Sequence, residues 1–207
     1  MSRRPARCHR AGALCAWLLA LAAVAPAPSM AEHGNGDWGL AELMAARAEV
    51  TGGRARFREE HHDELLAEPV ERTGTLVYRA PDYVRKTVTG TDGRTLEVHG
   101  DRVRVGDGDD QRRLHIHEHP ALAGAVAAFR ATLAGDLATL REHYAIRFQG
   151  GHDDWTLTYR PTTGALAERL ERIVIRGRGR AISEVETRET DGSWRLMRIS
   201  RAGDGAG

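Results

Sequence analysis

The spacing of apolar residues changes several times along the chain. Residues 11–25 are almost wholly apolar, with Leu14, Trp17, Leu18, Leu19 and Leu21, and Pro26 and Pro28 break the run. Helical spacing follows: Leu40, Leu43, Met44 and Arg47 fall at i, i+3, i+4 and i+7, Asp37 is placed to cap, and Gly52-Gly53 to terminate. From Arg54 the period becomes two. Ala55, Phe57 and Glu59 alternate with Arg54, Arg56 and Arg58, and strands are predicted over Thr73–Arg79, Tyr83–Thr89, Arg94–His99, Arg102–Gly106 and Arg112–His117. Ala80-Pro81-Asp82, Thr91-Asp92-Gly93, Gly100-Asp101 and 106–110 punctuate them. Strands joined by turns this short must be antiparallel neighbours, so the first half predicts a meander of about six strands.

After Pro120 the helical period returns in Leu122, Val126, Phe129 and Leu133, is interrupted at Gly135, and resumes behind a cap at Asp136 with Leu137, Leu140 and Tyr144. Strands are then predicted over Ala145–Gln149, Trp155–Arg160, Ile173–Arg176, Ala181–Arg188 and Trp194–Ser200, with a short helical segment at Leu166–Leu170 and a hairpin turn at Asp191-Gly192. The fold class is mainly β (α+β): about eleven short strands curved into an incomplete antiparallel barrel, with helices over one open face.

The opening segment reads as an export signal, 1–31. Arg3, Arg4, Arg7 and Arg10 precede the apolar run, and Ser29 and Ala31 are small residues before a cut at Glu32. The run of about 15 residues is short of the ~20 that a spanning helix needs. Leu14 before Cys15 does not suit a lipidation site. Residues 32–201 are read as one domain and 202–207 as a flexible tail.

Composition changes meaning once the signal is removed. The 207-residue precursor has 30 Lys and Arg against 29 Asp and Glu, a formal charge of +1. Loss of four arginines and no acid leaves the mature chain at −3. That balance excludes a whole-chain basic field of the kind that nucleic-acid binders carry. Cys8 and Cys15 leave with the signal, so the mature chain folds without disulfides and has no thiol nucleophile.

Catalytic patterns are sparse. Phosphate-loop, dinucleotide and nucleophile-elbow motifs are absent from the sequence. His115-x-His117-x-His119 would place alternate imidazoles on one strand face, a spacing that suits zinc, copper or nickel but equally a polar strand face. His61-His62 would point to opposite faces. Asp107, Asp109 and Asp110 lack the calcium-loop spacing and read as a solvated hairpin. Arg172, Arg176, Arg178 and Arg180 form a local basic cluster, read chiefly as a charged outer face. Lys86 is the only lysine, a sign of GC-rich coding.

The order of elements, with Arg54-Ala55-Arg56-Phe57-Arg58-Glu59 and then Val70-Glu71-Arg72-Thr73-Gly74-Thr75-Leu76-Val77-Tyr78-Arg79-Ala80-Pro81-Asp82, resembles the family of periplasmic lipoprotein carriers called LolA. Gly100-Asp101 with Val103, Leu133-Ala134-Gly135-Asp136 and Ile173–Gly179 resemble divergent LolA-like members. The resemblance implies a half-open barrel with a helical lid and an apolar cavity for acyl chains. It also implies a non-enzymatic, monomeric carrier with no cofactor and no nucleic-acid partner, which takes a lipoprotein or lipid-like cargo from an inner-membrane donor to an outer-membrane acceptor. Residues expected to line the cavity are Leu40, Leu43, Met44, Phe57, Leu76, Tyr78, Val84, Val103, Leu114, Phe129, Leu133, Phe148, Trp155, Leu157 and Ile175. An envelope-sensing domain of the same fold is the alternative, and a metal enzyme using His115, His117 and His119 the third. Ala80 stands where well-known carriers place a lid-latching Arg, and Arg79 points to the opposite face. Cargo is therefore open between a lipoprotein and a polyene lipid or another amphiphile.

Overall fold

A computed structural model describes residues 38–201 except 64–67, 91–92, 107–109, 119 and 163. The predicted export signal, the Asp37 cap and the 202–207 tail lie outside the described residues.

Eleven strands form one antiparallel sheet. In chain order they are β1 (Gly52–His62), β2 (Val70–Arg79), β3 (Tyr83–Val88), β4 (Thr95–His99), β5 (Arg102–Gly106) and β6 (Arg112–His115), then β7 (Tyr144–Gly150), β8 (Trp155–Pro161), β9 (Leu170–Arg178), β10 (Ala181–Glu189) and β11 (Trp194–Arg201). Their lateral order is β6-β5-β4-β3-β2-β1-β11-β10-β9-β8-β7. Each meander is local, and one long-range pairing, β1 with β11, zips them together from Ala55↔Arg201 to His62↔Trp194. The sheet is not closed: β6 and β7 are its two edges.

That order dictates where the helices go. The chain between β6 and β7 must cross from one edge to the other, and so it spans the open side. It does so as a 3-10 turn at Ile116–Glu118, then α2 (Pro120–Ala134) and α3 (Leu137–His143). α1 (Leu40–Ala48) joins them ahead of β1, and α4 (Gly164–Ala167) links β8 to β9. No helix of the described residues is long and apolar enough to cross a membrane.

Local chemistry sets the boundaries. The Glu42 carboxylate accepts from Gly39 N at 2.9 Å, tying down an orphan amide at the start of α1. Asp136 caps α3 as expected, accepting from Thr139 N at 3.1 Å. Along β1 the burial alternates, with Ala55, Phe57 and Glu59 inward and Arg54, Arg56 and Arg58 outward.

Four expectations are corrected. Gly52-Gly53 does not terminate α1, which ends at Ala48; both glycines are already in β1, paired with Arg79 and Tyr78. Tyr144 begins β7 instead of extending α3. The helical segment predicted at Leu166–Leu170 lies at Gly164–Ala167, because Leu170 is drawn into β9 by pairing with Glu189. The strand predicted to His117 stops at His115, and the chain tightens into the 3-10 turn that leads it off the sheet edge.

Candidate functional site

The inward residues of the strands and the apolar side chains of the helices form one buried cluster. Of the predicted lining residues, Leu43, Met44, Phe57, Leu76, Tyr78, Val84, Val103, Phe129, Leu133, Trp155, Leu157 and Ile175 are buried within it. Leu40, Leu114 and Phe148 are partly buried and pack against it. The side chain of Leu122 lies outside the described residues; Val126 is buried.

Two glycines make room for rings on the inner face. A Cβ on Gly74 would stand 2.6 Å from Phe57, and one on Gly177 would stand 2.4 Å from Trp155. The aromatic rings therefore lie flat where a side chain would otherwise project.

The helices are tied to the sheet by few polar contacts. Arg47 of α1 is buried and donates through Nη1 to Arg180 O at 3.1 Å, in the β9–β10 turn. Arg130 of α2 donates to Gly100 O in the β4–β5 turn. Thr132 Oγ1 donates to Tyr159 Oη at 3.3 Å. Burial lowers the Arg47 pKa to about 10 and raises that of Tyr159. Gly135 lets α2 approach α1: its φ is +69°, and a Cβ there would lie 2.1 Å from Met44 O.

Elsewhere on the inner face the sheet turns polar. Lys86 Nζ donates to Glu59 Oε2 at 2.6 Å, both side chains fully buried, and the ammonium stands 4.8 Å from the Phe57 ring centroid. Arg195 donates to Glu189 Oε1 at 2.8 Å and approaches His61 Nε2 at 3.2 Å. Burial lowers the Lys86 pKa to about 8 against the opposing pull of Glu59. Burial, with Arg195 and Arg72 nearby, lowers that of His61 to about 4. Burial also raises that of Glu189. Pattern reading missed this cluster as a unit. The signal was present in the inward parity of Glu59 and Lys86, but spacing alone cannot show that β1 and β3 place them in contact.

The remaining sequence candidates fall apart as sites. His117 Nδ1 lies 2.9 Å from Asp101 Oδ2 and His115 Nδ1 lies 3.8 Å from Glu118 Oε1, all on exposed side chains. His119 lies outside the described residues. Among the described residues, no group of three or more His, Cys, Asp or Glu is arranged to hold a metal ion. His62 stacks on Trp194 with centroids 5.5 Å apart. The Arg172–Arg180 cluster is ion-paired: Arg172 with Glu171 at 2.7 Å, Arg176 with Glu184 and Glu186, and Arg180 with Glu49 at 3.7 Å. Arg178 Nε donates to Asp153 O at 2.8 Å. Asp107 and Asp109 of the acidic turn lie outside the described residues.

One eleven-strand antiparallel sheet that is not closed, with a few short helices sharing its buried apolar cluster, is the LolA-like architecture. The model of the family described as outer membrane lipoprotein carrier protein LolA-like matches residues 29–206, and the chain belongs to that family. Members of this family are carriers rather than enzymes. No curated protein is similar enough to match. Solved structures similar to this chain include three distant ones. A LolA superfamily protein from Nitrosomonas europaea has 8% identity and a TM-score of 0.43 over 78% of this chain and 91% of that one. A DUF1329 family protein from Desulfovibrio piger has 12% identity and a TM-score of 0.45 over 81% and 92%. The lipoprotein LppX of Mycobacterium tuberculosis has 16% identity and a TM-score of 0.43 over 81% and 96%.

Proposed function

We propose that this chain is a periplasmic carrier that holds the acyl chains of a lipoprotein or another lipid-like cargo between the sheet and the helices. It carries them from an inner-membrane donor toward an outer-membrane acceptor, as a monomer and without chemical change to the cargo. One observation carries the reading within the family: α1 and α2 span the open side of the sheet, and their apolar side chains complete the concave face's own buried cluster. Leu43, Met44, Phe129 and Leu133 occupy the surface that acyl chains would take when the helices swing outward. Apolar contact is non-directional, so one apolar body can replace another, at roughly 0.8 kcal/mol for each CH₂ removed from water.

The latch differs from the Arg-before-Pro arrangement. Ala80 offers no hydrogen bond from its side chain, and Arg79 lies over the Tyr83 ring at 5.4 Å. Here the guanidinium groups sit on the helices instead, Arg47 and Arg130, and reach backbone carbonyls of the strand turns.

The test is direct. Protein purified from its native envelope is extracted with organic solvent and the extract is examined by mass spectrometry, alongside titration with a fluorescent fatty acid. Bound acyl species and saturable uptake are expected; the absence of both overturns the reading.

A further inference from the structure

The sheet is unzipped at one place along its wall. The β10–β11 ladder covers Glu184–Arg188 against Trp194–Arg198. Among the described residues it stops there, although β10 continues back to Ala181 and β11 on to Arg201. On their other sides these ends remain paired, Ala181 and Ile182 with β9 and Ser200 with β1. The β9–β10 register also shifts between Ile182 and Glu184, which turns Ser183 out of the ladder; its Oγ donates to Arg176 O at 3.2 Å. Between the two strand ends lies an open cleft of about 670 Å³.

Three features define what would fit it. Its lining joins both faces of the sheet: Arg54, Ser183 and Ser200 are exposed on the outside, whereas Ala55 and Ile182 belong to the buried core. The cleft therefore adjoins both the outer surface and residues of the apolar core. Its charge is nearly balanced, with Arg54, Arg178 and Arg201 facing Asp153 and Asp154, so it does not select a strongly anionic headgroup. Finally, two of its walls are the parted ends of β10 and β11, the others being β1, β9 and the β7–β8 turn. Where a ladder stops, alternate residues turn backbone N–H and C=O groups toward the gap. Hydrocarbon cannot satisfy those groups, and an extended peptide can.

We propose that the cleft binds an extended peptide segment by strand addition to β10 at Ala181–Ser183, and that this segment is the polypeptide of an acylated cargo whose lipid occupies the core. The inference rests on the carrier reading and narrows the cargo to a lipidated polypeptide. Because the cleft adjoins the core, acyl chains can stay under the helices while the peptide leaves sideways.

The test uses Ser183→Cys and Ser200→Cys variants, separately labelled with a photo-crosslinker on the outside of the cleft. Each is titrated with palmitate, with a dipalmitoylated pentapeptide, with that peptide N-methylated at alternate amides, and with the unacylated peptide. The dipalmitoylated peptide is expected to bind about tenfold tighter than its N-methylated form, the gain from a few added backbone hydrogen bonds. It is also expected to crosslink at both positions, and N-methylation should remove the gain. Equal binding of the N-methylated and unmodified peptides, or crosslinking that spares both positions, overturns the proposal while palmitate binding leaves the carrier reading standing. If neither palmitate nor the dipalmitoylated peptide binds, the carrier reading fails instead, and crosslinking of the unacylated peptide alone then decides whether the cleft takes peptide. A truncation after Arg201 that gains crosslinking over the full chain identifies residues 202–207 as the native occupant and overturns the assignment to cargo.

Discussion

Tyr78, Val84 and Val103 of the sheet share one buried apolar cluster with Leu43, Phe129 and Leu133 of the helices. Elsewhere on the sheet's inner face, on β1, β3 and β11, the buried positions become Glu59, Lys86 and Arg195. Both regions are buried and both use the same pleat, yet they resist change differently. An apolar contact has no required partner, so the helix side chains can be exchanged for other apolar groups at little net cost. The Glu59–Lys86 pair is directional and fully buried, and separating it takes a buried charge from its counter-ion. The covered apolar end is therefore the easier to part, and the Glu59–Lys86 pair ties β1 to β3.

The largest test of that contrast is Glu59→Ala. It removes the carboxylate that pairs with the buried Lys86 ammonium and is expected to cost about 3–5 kcal/mol, read from the denaturant midpoint. The Glu59→Leu/Lys86→Met double variant should recover most of the loss, since replacing both partners removes the buried charge. A single-variant cost below about 1 kcal/mol would show that the charged end fixes nothing.

Leu43→Ala should cost about 3 kcal/mol, as for other large-to-small core changes. Because it loosens the helix face and leaves the charged end intact, it should also raise uptake of an apolar fluorophore. A loss of stability with no gain in uptake would mean that α1 is a fixed part of the core.

Arg47→Met keeps the stem of the side chain and removes its donor to Arg180 O. A loss of about 2 kcal/mol is expected, the range for a hydrogen bond to a charged group. Faster hydrogen exchange should be confined to α1 and the β9–β10 turn. Exchange that rises equally around Glu59 would erase the distinction between the two ends.

The smallest effect is a pH slope. His61 binds its proton near 6.5 when unfolded and at about 4 when folded. Between those values the unfolded chain binds more protons, so stability falls as pH falls through this window, and the slope from this group ends below about pH 4. Because His61 is partly exposed, solvent screening holds the effect to about 1 kcal/mol or less. His61→Gln should flatten this part of the profile relative to the parent. An imidazole that titrates near 6.5 by NMR would remove the basis for it.

Much of this was legible in advance. Period-two alternation from Ala55 to Glu59 located β1 and its inward face, and Asp136 marked the start of α3. The resemblance carried the half-open barrel, and the helical spacing of Leu40, Leu43, Met44 and Arg47 predicted a face that is indeed turned to the core, except that Leu40 is only partly buried. Boundary errors arose where tertiary pairing outweighed local pattern. Leu170 has a helical neighbourhood and a strand partner in Glu189, and pairing wins. His117 keeps strand parity on paper, but β6 is an edge strand and the chain must turn away from it to reach α2.

Charge showed the same limit. Arg172, Arg176 and Arg180 form a basic cluster in one dimension and a set of ion pairs in three. Lys86, the only lysine, carries no spacing signal of its own and is a core residue. The amino-acid sequence by itself determined which residues alternate, which repeat with helical period and where turns must fall, because these depend on neighbours a few positions away. The tertiary structure alone decided that β1 pairs with β11, that Glu59 meets Lys86, that Arg47 reaches Arg180 O and that β10 and β11 part company beyond Glu184. Each of these joins segments far apart in the chain, and a contact of that kind is set by packing the whole sheet.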